Sequence, residues 1–147
     1  DLYVIFSISP FHRNIARSIL KAPKFYFYDT GQVLGDDGVK FENLVACALQ
    51  KEIHFRADCF GEERCLYYLR NKAGQEVDFF ITSEDQPVLM METKLKDRAI
   101  SASLFHFRQF FKEIETLQLV KELDRERTFP NGIEIRSAHE WLSVFEL

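Results

Sequence analysis

The sequence predicts an α/β domain organised around a mixed β-sheet flanked by helices. Three observations carry that reading: an amphipathic helical repeat over residues 39–53, three strand-like runs in succession between residues 64 and 95, and a second helical repeat over 101–116 with a strand-like run behind it. The predicted order is therefore helix, strand, strand, strand, helix, strand.

Ahead of the first helix, residues 2–8 read as a short strand closed by Ser9-Pro10. Residues 12–22 are mixed and basic, consistent with one or two helical turns ending near Pro23. Lys24-Phe25-Tyr26-Phe27-Tyr28 is a strand-like aromatic run, stopped by Asp29-Thr30-Gly31, and Gly35-Asp36-Asp37-Gly38 is a loop by composition. Over 39–53, Phe41, Leu44, Val45, Ala48 and Leu49 fall on one helical face, with Lys40, Asn43, Gln50 and Lys51 pointing away. Counting about 100° per residue sets Glu42 inside the apolar arc.

Residues 64–70 form a strand, and Asn71-Lys72-Ala73-Gly74 turns it into the next, 75–82. Ser83-Glu84-Asp85-Gln86 leads into the strand 87–95. The second helix buries Leu104, Phe107, Phe111 and Ile114, with Ser101 and Ser103 as candidate N-caps. Residues 117–123 and 133–136 read as short closing strands, and 139–147 as a last apolar turn or helix.

At 147 residues and 46% hydrophobic composition, one domain with a real core is expected, made aromatic by fifteen phenylalanines and five tyrosines. No stretch approaches the ~18 apolar residues of a membrane span. The start, Asp1 to Phe6, lacks a basic leader, so no signal peptide is expected. Cys47, Cys59 and Cys65 are odd in number and lack CxxC spacing, which fits reduced thiols in a cytoplasmic protein and argues against zinc. A net charge of −4 argues against a surface coated for nucleic acid. Arg13, Arg17, Lys21 and Lys24 nevertheless make the first stretch basic, able to bind a backbone phosphate or to dock on an acidic domain.

The chemistry concentrates in Glu76-Val77-Asp78 and, fourteen residues after Asp78, Glu92-Thr93-Lys94. Both lie in apolar strand-like runs, where an ionised group is costly unless a partner or a metal compensates it. Strand alternation sets Glu92 and Lys94 on one face and Thr93 on the other. Two carboxylates from neighbouring strands with a lysine beside one suit a divalent cation and the water it activates. A surface ion-pair strand is the bland alternative. Glu42 is open to two readings: a first-turn glutamate favoured by the helix dipole, or a third acid reaching Asp78 and Glu92.

That order, with a helix glutamate, a strand aspartate and a strand Glu-x-Lys, resembles the PD-(D/E)XK nuclease superfamily and its restriction-endonuclease-like sheet. More closely, Lys21-Ala22-Pro23-Lys24-Phe25-Tyr26-Phe27-Tyr28-Asp29-Thr30-Gly31, Phe41-Glu42-Asn43-Leu44-Val45, Glu76-Val77-Asp78-Phe79 and Met91-Glu92-Thr93-Lys94 are similar to the uncharacterised C-terminal domain of a bacterial and archaeal AAA+ ATPase family. The resemblance spans residues 1 to about 115. It implies an ATPase module and a winged-helix segment upstream, with residues 1–22 as connector and 23–147 as the nuclease-like domain. It implies Mg²⁺ or Mn²⁺ held by Asp78, Glu92, the Thr93 carbonyl and Glu42, with Lys94 orienting the attacking water for phosphodiester hydrolysis of DNA. The implied partners are the ATPase domain and DNA, with homo-oligomerisation left open. Val77 stands where the superfamily often has proline before the aspartate.

The rival reading is a catalytically inert interaction or oligomerisation module of the ATPase. An open cleft joining Asp78, Glu92 and Lys94, rimmed by Lys96, Arg98 or the basic first stretch, would favour the nuclease; a cluster sealed by aromatics would favour the module. Asp29-Thr30-Gly31 also matches the aspartic-protease triplet, but its local reading is a strand end with a turn. His54, His106 and His139 stand apart from any nucleophile, and Trp141 reads as a core or interface anchor.

Overall fold

A computed structural model describes residues 3–12, 22–96 and 99–145. Eight strands form one mixed sheet: β1 (Ile5–Pro10), β2 (Lys24–Phe27), β3 (Arg64–Arg70), β4 (Glu76–Ser83), β5 (Gln86–Lys96), β6 (Glu115–Glu122), β7 (Arg127–Thr128) and β8 (Ile133–Ser137). Their spatial order is β2-β1-β3-β4-β5-β6-β8-β7. The β3-β4-β5 centre is antiparallel, whereas β1 joins β3, β6 joins β5 and β8 joins β6 in parallel. Among the described residues the α-helices are α1 (Asp37–Phe60), α2 (Ala102–Arg108) and α3 (Ala138–Val144).

The central strands read as continuous apolar runs because both faces of the sheet are covered. Phe79, Ile81, Leu89 and Met91 pack in one layer with Val45, Ala46 and Leu49 of α1 and with Trp141 and Leu142 of α3. Val77, Phe80 and Met90 pack in the other with Leu104 and Phe107 of α2, the β4 alternation shifting at the register irregularity between Val77 and Phe80. Phe79, Phe80, Met90 and Met91 are fully buried, each burial stabilising the fold by roughly 1.5–3 kcal/mol.

Helix α1 is longer than its periodic stretch. Asp36 caps it through the Val39 N–H, and Gly61 closes it in the left-handed conformation, φ 69°. The second helix is shorter than expected, ending at Arg108 instead of 116. Phe111 and Ile114 still reach the core cluster, so their spacing satisfies the helical pattern while the backbone turns irregular. The Arg108 guanidinium stabilises that exit by donating to the carbonyls of Phe111 (3.0 Å) and Ile114 (2.6 Å). Strand β1 runs past the expected stop: Pro10 pairs with Tyr68 at the strand end, where its missing N–H costs little. The short β7 had no sequence signal, and the helical turns expected over 12–22 fall mostly outside the described residues.

Asp29-Thr30-Gly31 follows its local reading. Asp29 caps a single 3₁₀ turn, accepting from the Gly31 N–H at 2.9 Å. Among the described residues no helix is long and apolar enough to cross a membrane.

Candidate functional site

The site begins where β2 meets α1. Asn43, buried on α1, accepts from the Phe27 N–H at 2.8 Å and donates to the Phe27 carbonyl at 2.9 Å, acting as a strand partner for the β2 edge. This lock fixes the neighbouring Glu42 toward β2. The Tyr26 hydroxyl donates to Glu42 Oε1 at 2.7 Å, and the Lys24 ammonium reaches the same oxygen at 3.1 Å. Lys24 and Tyr26 are two residues apart on β2 and so share a face.

Lys24 Nζ also lies 2.7 Å from Glu76 Oε1 and 3.6 Å from Asp78 Oδ1. Its ammonium stands 5.5 Å from the centroid of the Tyr68 ring, whose hydroxyl donates to the Ala22 carbonyl at 2.7 Å. Burial alone would lower the Lys24 pKa, but Asp78, Glu42 and Glu76 outweigh it and hold the ammonium protonated well above its usual range. Burial, then Glu42, pushes the Tyr26 hydroxyl up in the same way.

Asp78 Oδ2, on β4, accepts from both the N–H (2.9 Å) and the hydroxyl (2.8 Å) of Thr93 on β5. Glu92 Oε1 accepts from Lys94 Nζ at 2.6 Å and from the Ser101 hydroxyl at 3.3 Å. Its second oxygen, Oε2, is buried without a partner among the described residues. Burial first, then the Asp78 charge, pushes the Glu92 carboxyl up to about 6, against the opposing pull of Lys94 and Ser101.

Glu42, Asp78, Thr93, Lys94 and Lys96 line one open cleft of 520 Å³. Glu92 does not line it. A second groove of 540 Å³, sharing Glu42 and Val39, is walled by Lys24, Phe25, Leu34 and Glu76. The five predicted residues are thus neighbours but not one cluster: Asp78 binds Thr93, Glu92 binds Lys94, and Glu42 connects to Asp78 through Lys24. Arg98 lies outside the described residues, as do Arg13, Arg17 and Lys21 of the basic stretch.

Sequence reasoning missed the roles of Lys24, Tyr26 and Glu76. The available signal was the alternation itself, since Lys24-x-Tyr26 and Glu76-x-Asp78 each set two polar groups on one strand face.

Among the described residues no three carboxylate, imidazole or thiol groups stand together as a metal-holding group. Carboxylate oxygens are the ligand type that a hard divalent cation takes, but here they do not gather as one group. Glu42 and Asp78 open to the cleft, and Glu92 keeps a buried, partnerless oxygen. Two ammonium groups, Lys24 and Lys94, supply positive charge among these acids.

Fold and site together define a mixed-sheet α/β domain with an open cleft of carboxylates and lysines. Residues 37–140 match the family described as a domain of unknown function, DUF4143, and the chain belongs to that family. No curated protein matches it. Among solved structures, it is similar to a chain in a refined half-complex from a tetradecameric assembly of Thermococcus gammatolerans McrB AAA+ hexamers with bound McrC. The likeness has 14% identity and a TM-score of 0.40, over 68% of this chain and 27% of that one. At that depth it defines neither fold nor activity.

Proposed function

We propose that residues 23–147 form a nuclease-like domain of a larger cytoplasmic ATPase, with residues 1–22 as the connector, and that it hydrolyses phosphodiester bonds in DNA with Mg²⁺ or Mn²⁺. One observation carries the reading: Asp78 and Lys94 open into the same cleft, with Glu42 beside them and Lys96 at its rim. A cleft sealed by aromatic side chains would have spoken for a docking module instead. The resemblance of the four sequence blocks to an ATPase C-terminal domain supports the remainder.

In this reading Asp78, Glu92, the Thr93 carbonyl and Glu42 would hold the ion, which would supply Lewis acidity and a more acidic water. Lys94 orients the attacking water, and Glu92 keeps its ammonium in place through the 2.6 Å ion pair. Lys96 offers positive charge to a phosphate entering the cleft. Thr93 holds Asp78 by two hydrogen bonds, so that carboxylate keeps one oxygen, Oδ1, for other partners.

The test is cleavage of single- and double-stranded DNA by the protein carrying this domain, with ATP and Mg²⁺ or Mn²⁺, beside Asp78→Ala and Lys94→Ala. Metal-dependent cleavage lost in both variants supports the reading. Cleavage that survives both assigns the activity elsewhere.

A second reading, an inert docking or oligomerisation module, is favoured by one specific observation: the Lys24 ammonium already fills the space between Glu42, Glu76 and Asp78. Exposed Phe25 and Leu34 in the adjoining groove would then be contact residues. Absence of cleavage under every condition moves the assignment to this reading.

A further inference from the structure

Glu92 and Gln118 are cross-strand partners in the parallel β5-β6 pair, so their buried side chains stand side by side on one face of the sheet. A buried amide is costly unless both of its ends are bonded. Gln118 meets that demand on the segment that leads into α2. Its Oε1 accepts from the Ser101 N–H at 2.8 Å, and its Nε2 donates to the Ala99 carbonyl at 3.4 Å. An apolar side chain of that size would fill the same space. What the amide adds is a fixed position for Ser101.

Ser101 passes that position on. Its hydroxyl donates to Glu92 Oε1 at 3.3 Å, while its oxygen accepts from the Leu104 N–H at 3.5 Å as the α2 N-cap. The same Glu92 oxygen accepts from Lys94 Nζ at 2.6 Å, and Oε2 has no partner among the described residues. The orientation of the carboxylate therefore depends on the two donors at Oε1. One of them, Lys94, is a long, half-buried chain that an ion pair near water holds only weakly. The fixed donor is Ser101.

We infer that Ser101 and Gln118 are positioning residues, which through Glu92 fix where the Lys94 ammonium stands in the cleft. The relay runs from Gln118 to Ser101, Glu92 and Lys94, out of the buried sheet and into the cleft wall. Neither Ser101 nor Gln118 lines the cleft, so both act through Lys94 and not on a substrate. The catalytic consequence rests on the nuclease reading above, in which Lys94 orients the attacking water. A displaced ammonium then slows the chemical step more than it weakens DNA binding.

The test compares the full chain as wild type, Ser101→Thr, Ser101→Gly and Gln118→Leu. Threonine keeps both the cap and the donor, whereas glycine caps nearly as well as serine and has no hydroxyl, which separates positioning from helix stability. The first readout needs no activity: the NMR order parameter of the Lys94 ε-methylene. It is expected to fall to about half its wild-type value in Ser101→Gly and Gln118→Leu, and to hold in Ser101→Thr. The second is Mn²⁺-dependent cleavage of labelled DNA. There kcat should drop about tenfold in Ser101→Gly with KM within about twofold, and Ser101→Thr should restore it. Should Gln118→Leu fail to fold, Ser101→Gly against Ser101→Thr still decides. Wild-type Lys94 order and kcat in Ser101→Gly would overturn the inference and leave the nuclease reading standing. An equal loss in Ser101→Thr, or a rise in KM at constant kcat, would overturn it as well. If Lys94 loosens as expected but wild type cleaves no DNA, the relay is supported and the nuclease reading falls.

Discussion

Glu92 and Lys94, two residues apart on β5, form a 2.6 Å ion pair in which the lysine is 35% exposed and the glutamate only 8%. Lys94 lines the cleft; Glu92 stands behind it. The acid is thus a buried support for a half-exposed cation. It does so at a cost to itself, because burial and Asp78 disfavour its charged form.

That cost has a pH signature. The Glu92 carboxyl titrates at about 6 in the fold against an ordinary 4.5. A raised folded-state value means that the stability it contributes is present below about pH 4.5 and lost as pH rises through about 6, by roughly 2 kcal/mol. Glu92→Gln removes the titration. Denaturant unfolding of the two proteins at acidic and slightly alkaline pH should show the variant gaining on wild type by about that amount at the higher pH. An equal difference at both values would remove the desolvated-acid account.

Asn43→Ala should destabilise the fold by about 2–4 kcal/mol. It deletes the partner of both polar groups of Phe27 and of the Thr30 hydroxyl, leaving partly buried backbone groups unpaired. Cys47 Sγ, 3.0 Å from the Phe27 carbonyl, offsets a little of that loss. Chemical denaturation measures it. A change below about 0.5 kcal/mol would mean that β2 is held by β1 alone.

Mn²⁺ should raise the melting temperature of wild type, by preferential binding to the folded state, and should do so far less in Asp78→Ala. Asp78 is the acid common to both halves of the site, bound to Thr93 on one side and near Lys24 on the other. Thermal shift with and without metal checks this. Identical shifts in the two proteins would place the ion elsewhere.

Lys94→Ala should reduce metal-dependent cleavage by at least about 10²-fold while leaving the melting temperature within a few degrees of wild type. Its side chain is the more exposed half of the pair, so its loss disturbs water orientation more than packing. A rate unchanged by the substitution would leave Lys94 as Glu92's counter-ion only. Single-turnover rates on labelled DNA, with circular dichroism as the folding control, supply both readings.

Much of this arrangement was legible in the chain itself. The face of α1 that carries Phe41, Val45 and Leu49 follows from a period of 3.6, while the turn at 71–74 and the succession of strands that sets Asp78 beside the Glu92-Thr93-Lys94 strand follow from turn composition and strand-length apolar runs. Both signals are local properties of the chain. Glu42, inside the apolar arc, does reach the cleft beside Asp78 and Lys94. The second helix was overcalled because Phe111 and Ile114 have helical spacing, while their burial is satisfied by an irregular exit that Arg108 stabilises. Local pattern reports burial, not the backbone path that achieves it.

Tertiary structure alone decided what neutralises the acids. Lys24 read as one more charge of a basic stretch, because nothing near it in sequence is acidic. Parallel pairing of β1 with β3, the neighbour of β4, anchors the β1-β2 pair to the sheet, and only then does the ammonium meet Glu42, Glu76 and Asp78. Glu92's burial is likewise set from a distance, by the α2 N-cap Ser101 and by buried Gln118 on β6, which holds the Ser101 N–H at 2.8 Å. Charge compensation in a folded protein depends on distances of a few ångströms between elements far apart in the chain, and Coulomb energy at that range carries no periodic trace in sequence.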